Sequence, residues 1–184
     1  TSGSGFAAVM AASIANGGSP DYIMPGIEFF AELKASGNLI PTSVDQATVI
    51  SGETPIAIDW SYNWPGLRSQ IEEAGYTVEI NFPSDGVYGG YYSQGVVAGS
   101  PNPACARLWI EHIVSNEGAL AYLEGGAMPA RFGALEAAGA IDDAMLAELP
   151  PADLLAQVSF LTPEQNAAAA AALEENWAPM VADA

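Results

Sequence analysis

The chain has 184 residues, half of them hydrophobic, which is enough for one well-buried domain, and no apolar run approaches the roughly 20 residues of a membrane span. Twenty-two acidic residues face only Lys34, Arg68, Arg107 and Arg131, giving a formal net charge of −18. Such a field repels phosphate backbones and argues against nucleic-acid binding; it suits a cationic ligand or partner, and solubility alone also accounts for it.

The expected elements begin with a helix over 6–15, entered at Ser4 and Gly5 and closed by Asn16-Gly17-Gly18. Pro25 suits the first turn of a second helix, which Gly37 stops. Ser43 and Gln46 have the spacing of a capping box for a short third helix ending near Gly52. Residues 55–60 then form an apolar run of the kind buried in a sheet covered by helices. A turn-rich stretch, 62–66, leads into a helix over 67–74. Residues 76–81 alternate Val78 and Ile80 with polar neighbours, predicting a second strand stopped by Pro83, and 95–98 predict a third. Asn102 and Pro103 start a helix over 104–114, and Ser115 caps the next, which ends at Gly125-Gly126. After Arg131 the composition turns to Ala, Glu, Leu and Pro, with no strand signal. A helix over 141–149 and another from the capping box Thr162-Pro-Glu-Gln165 to Trp177 complete the pattern. Helices alternating with strands predict an α/β layer, followed by a helical tail.

Little in the chain supports catalysis. His112 is the only histidine and Cys105 the only cysteine. They sit seven residues apart on one predicted helix, about 10 Å along its axis, too far for a nucleophile and its base. Cys105 is expected to be a small buried hydrophobe. The chain shows no zinc-protease, phosphate-loop or dinucleotide fingerprint, so no cofactor and no metal is expected. An enzyme using Tyr or Asp as acid or base remains the competing class, and a pure protein-interaction domain a third.

Two clusters suit binding. Residues 85–104 set Tyr88, Tyr91 and Tyr92 among glycines, which allow sharp turns and close approach of a ligand. The alternative for each tyrosine is to pack inside with its hydroxyl satisfied. Residues 59–64 place Asp59, Trp60 and Tyr62 at the carboxyl end of the first expected strand, where α/β sheets bind ligands. An acid and aromatic rings there suit an amine, through charge pairing and cation–π contact. The alternative reads Trp60 as core and Asp59 as a turn residue.

Taken in order, several segments resemble the C-terminal half of bacterial ABC-transporter solute-binding proteins, the group with polyamine-, thiamine- and ferric-iron-binding members. They are Gly52-Glu-Thr-Pro-Ile-Ala-Ile-Asp-Trp60, Tyr91-Tyr-Ser-Gln-Gly-Val-Val97, Ser100-Pro-Asn-Pro103 leading into 106–111, Ser115-Asn-Glu-Gly118 and Gly125-Gly-Ala-Met-Pro-Ala-Arg131. Leu149-Pro, Thr162-Pro-Glu-Gln165 and Trp177 look like a polyamine-type branch. The resemblance spans nearly the whole chain. It implies one lobe of a two-lobed periplasmic-binding-protein-like fold, three-layered with a mixed sheet, over residues 1–135. Residues 136–184 would be a helical segment packing on a first lobe absent from this chain, so the chain is expected to be a fragment of a longer protein.

The implied function is capture of a small solute outside the cytoplasm, in the periplasm or on a lipoprotein anchor, and delivery to an ABC permease. Ser2 and Ser4 match a helix entrance facing the cleft, Trp60 and Tyr62 a strand-end aromatic site, and Tyr91 and Tyr92 the loop where polyamine binders place an aromatic and an acid. Here Ser93 follows Tyr92 and the acid is missing, with Asp59 or Asp85 as candidate replacements. A polyamine-like cation is the favoured solute. Ferric iron, thiamine and phosphonate-type solutes are alternatives, although adjacent strand residues such as Tyr91 and Tyr92 point to opposite faces.

Overall fold

In a computed structural model, which describes residues 2–40, 44–147 and 149–183, the chain folds as a string of helices. In chain order they are α1 (Gly3–Ala15), α2 (Met24–Ala35), α3 (Gln46–Ile50), α4 (Arg68–Glu73), α5 (Pro103–Ile113), α6 (Asn116–Glu124), α7 (Phe132–Ala137), α8 (Asp143–Ala147), α9 (Ala152–Leu155) and α10 (Pro163–Trp177). A π turn, Ala178–Ala182, continues α10. No helix among the described residues is long and apolar enough to cross a membrane.

The expected α/β fold with a three-layer mixed sheet is not formed. The chain is 54% helix and 2% strand, and the described residues contain no sheet. Two isolated bridges, Ser19 with Tyr22 and Tyr88 with Ser159, are the pairings seen among them. The three stretches expected as strands, 55–60, 76–81 and 95–98, belong to no ladder. Ile56 is 85% exposed and Val97 76%, while Val78 and Ile80 are half-buried. The physical reason is that β-branched residues favour extended backbone, whereas a ladder also needs a partner strand and a face to pack against.

Helix starts follow their local chemistry closely. Ser2 caps α1, its hydroxyl accepting from the Gly5 N–H at 3.1 Å, so this helix begins earlier than its apolar run suggests. Thr162 and Gln165 form the expected reciprocal box at α10. Ser43 lies outside the described residues; the cap of α3 is Asp45, which forms a box with Thr48 instead. Ser115 caps α6 as expected. Asn102 stands at the cap position of α5, yet its side chain makes no capping bond.

The contacts divide the chain into two units. The first comprises residues 1–60, 69–90 and 151–184. Its core joins α1, α2, α10 and the π turn through Val9, Met10, Ile27, Phe30, Leu173 and Val181. Gly26 lets α1 and α2 approach closely, because a Cβ there would lie 2.0 Å from the Val9 carbonyl oxygen. The second unit comprises residues 61–68 and 91–150. It gathers Ala119, Leu123, Leu135 and Leu149 around α6 and α7, with Phe132, Ile141 and Met145 packed against them.

Candidate functional site

The tyrosine-glycine stretch divides into a fastened part and an open part. In the first unit, the Gly89 N–H donates to the Ser159 carbonyl at 3.1 Å, and the Ser159 N–H donates to the Val87 carbonyl at 3.3 Å. A Cβ on Gly89 would lie 2.2 Å from Val158 Cγ1, and one on Gly90 2.9 Å from Trp60 Cη2. These glycines therefore serve close packing against residues 158–160 and the indole, rather than ligand access. Tyr88 is half-buried in the same place, edge-on to Phe6 with ring centroids 6.3 Å apart. Burial pushes its phenol pKa up. It belongs to the packing of this unit, which was the alternative open to each tyrosine.

Four more candidates lie in this unit. Asp59 Oδ1 accepts from the Trp60 N–H at 2.8 Å. Trp60 is half-buried against Gly90. Ser2 caps α1, with the Ser4 hydroxyl 3.3 Å from its own.

The second unit holds the open part. Tyr62 is half-buried on a short 3-10 turn, Ser61–Asn63. Gly126, just past the end of α6 with φ 77°, lies under this turn, and a Cβ there would sit 3.5 Å from the Tyr62 Cα. Tyr92 reaches Tyr62 from thirty residues away, with their hydroxyls 2.6 Å apart; either one can donate. The rings stand edge to face, centroids 6.4 Å apart at 65°. Tyr92 is 75% exposed and its neighbour Tyr91 71%. The tertiary structure thus pairs Tyr92 with Tyr62, where the sequence invites attention to the adjacent Tyr91.

Chemically, this pair offers aromatic faces and a shared phenol proton. Along the chain, residues 60–71 and 86–110 contain no Asp or Glu, and Asp59 and Asp85 border these stretches. The described residues contain no group of three His, Cys, Asp or Glu placed to hold a metal ion. A shallow depression of about 260 Å³ runs along α2, lined by Phe29, Glu32, Leu33 and Ser36, and includes none of the candidate residues.

Cys105 is exposed on α5, contrary to its expected burial. The reason is that α5, though amphipathic in sequence, has no buried residue, and even Leu108 and Trp109 remain largely exposed. His112 lies on the same helix with its ring centroid 5.9 Å from that of Trp109. Sequence reasoning passed over this ring pair, although its i, i+3 spacing on a helix signals it.

No family model matches the chain, and no curated protein matches it.

Proposed function

We propose that this chain is a non-catalytic solute-binding component of an importer, acting outside the cytoplasm and passing a small cationic solute to an ABC permease. The observation that carries the reading is the pairing of Tyr62 with Tyr92, hydroxyls 2.6 Å apart. Aromatic side chains already held by a mutual hydrogen bond give a cation ring faces to rest on without much ordering cost. A net charge of −18 raises the local concentration of cations around them. The ordered set of motifs that resembles solute-binding proteins supports the transport role.

The test is calorimetric titration of the full chain with small cations and anions of matched size. A cation is expected to bind, and Tyr62→Ala and Tyr92→Ala each weaken it at least about tenfold, the scale of a desolvated cation–π contact. Turnover of a solute, or binding that survives both substitutions, would count against the proposal.

A second reading, ferric iron, also has an observation in its favour, since two phenol oxygens already meet. It predicts a visible phenolate-to-iron charge-transfer band when ferric citrate is added. Tyr92→Phe, which keeps the ring and removes the oxygen, would abolish that band.

A further inference from the structure

We propose that α5 is the seam of a homodimer, in which two copies of this chain pair antiparallel across a two-fold axis between Leu108 and Trp109. The dimer goes beyond the solute reading and does not rest on it.

The first observation is the face that α5 leaves open. Cys105, Leu108, Trp109 and His112 recur at i, i+3, i+4 and i+7, which places them on one side of the helix. All four are exposed, Leu108 at 70% and Trp109 at 58%. The helix packs against α6, and its half-buried residues Ala106, Ile110 and Ile113 fall together about a third of a turn away. The open stripe is therefore a second apolar face of α5. The rings of Trp109 and His112 lie 5.9 Å apart, so its aromatic edge is already packed on itself.

The second observation is that the stripe matches its own reversal. Turning the helix end for end about its midpoint exchanges Leu108 with Trp109 and Cys105 with His112. A second copy running the opposite way thus sets leucine on indole twice and thiol on imidazole twice. An isologous interface requires that, because residue i meets j and j meets i. A partner of different sequence gains nothing from this symmetry. The third observation is charge. A chain of net charge −18 repels its own copies and can meet one only where the contact carries no excess acid. None of the four stripe residues is acidic. Glu111, which flanks them, has Arg107 four residues earlier on the same flank. Four residues a side fall short of the roughly 800 Å² of a standard interface, so the dimer is expected to be weak, with Kd of about 10–100 µM.

The experiment is sedimentation equilibrium of the full 184-residue chain, joined to a disulfide test of the register. The unmodified chain is expected to dimerise, at least about threefold more tightly in about 0.5 M than in about 0.02 M NaCl, as repulsion is screened. Leu108→Glu should weaken the dimer at least about tenfold while helicity and Tm hold, because that side chain is 70% exposed. His112→Cys sets its new thiol opposite Cys105 of the second copy, so diamide should link this variant into covalent dimers. The unmodified chain should not link, because its two Cys105 lie about 10 Å apart along the axis, beyond the roughly 7 Å limit between Cα atoms of a disulfide. A chain still monomeric at about 1 mM, or a dimer untouched by Leu108→Glu, would overturn the proposal. So would a dimer that loosens as salt rises, or an unmodified chain that links as readily as the variant.

Discussion

Tyr88 and Tyr92 lie four residues apart and meet opposite fates. Tyr88 packs edge-on against Phe6 at 6.3 Å, while Tyr92 stands in solvent with its hydroxyl on Tyr62. Both lie in a glycine-rich stretch, and the sequence alone did not separate them. What separates them is Ser159, whose backbone fastens residues 87–89 and leaves 91–92 outside. Burial raises the Tyr88 pKa, because the fold disfavours its phenolate. The unfolded chain therefore ionises first, near about pH 10, and stability that is complete below that value is lost as pH rises through the folded value. Urea midpoints are accordingly expected to drop as pH climbs from about 9.5 to 11.5, and Tyr88→Phe should make that drop shallower. An unchanged slope in the variant would remove Tyr88 as its source.

At the scale of elements, the helices were largely legible and the strands were not. Ser115 and the Thr162–Gln165 box announce their helices because a cap is a local bond, formed within four residues. The runs at 55–60 and 95–98 announce only extended backbone, and Ile56 and Val97 end up in water because no ladder covers them. Gly26 shows a further limit of local reading. In α2 it looks like an ordinary weak spot for a helix, yet it admits the Val9 carbonyl of α1. Gly26→Ala should cost about 2–3 kcal/mol by overpacking that contact, outweighing the gain in helix propensity. Gly133→Ala in α7, where an added Cβ meets nothing within 4 Å, should instead gain about 0.5–1 kcal/mol. Denaturant titration of the two variants checks the pair, and equal shifts would contradict the close approach of α1 to α2.

For the whole molecule, the excess of acids is the dominant electrostatic fact. Twenty-two acids against four bases repel one another in the compact state more than in the open chain. Raising NaCl from about 0.02 to 0.5 M shrinks the screening length several-fold and should raise Tm by several degrees. A flat Tm across that range would mean that self-repulsion contributes little. The same salt should weaken a cationic solute, so binding and stability are expected to respond to ionic strength in opposite directions.

Charge and the caps of α6 and α10 were determined by the sequence itself, because each depends on composition or on a few neighbouring residues. Three things were decided only by the tertiary structure: that the extended runs form no sheet among the described residues, that Tyr88 is packing, and that Tyr92 meets Tyr62. Each turns on contacts between residues far apart in the chain, such as Val87 with Ser159 or Tyr62 with Tyr92. Side-chain preference carries no record of those partners, so local pattern could name the candidate rings without saying which two would share a proton.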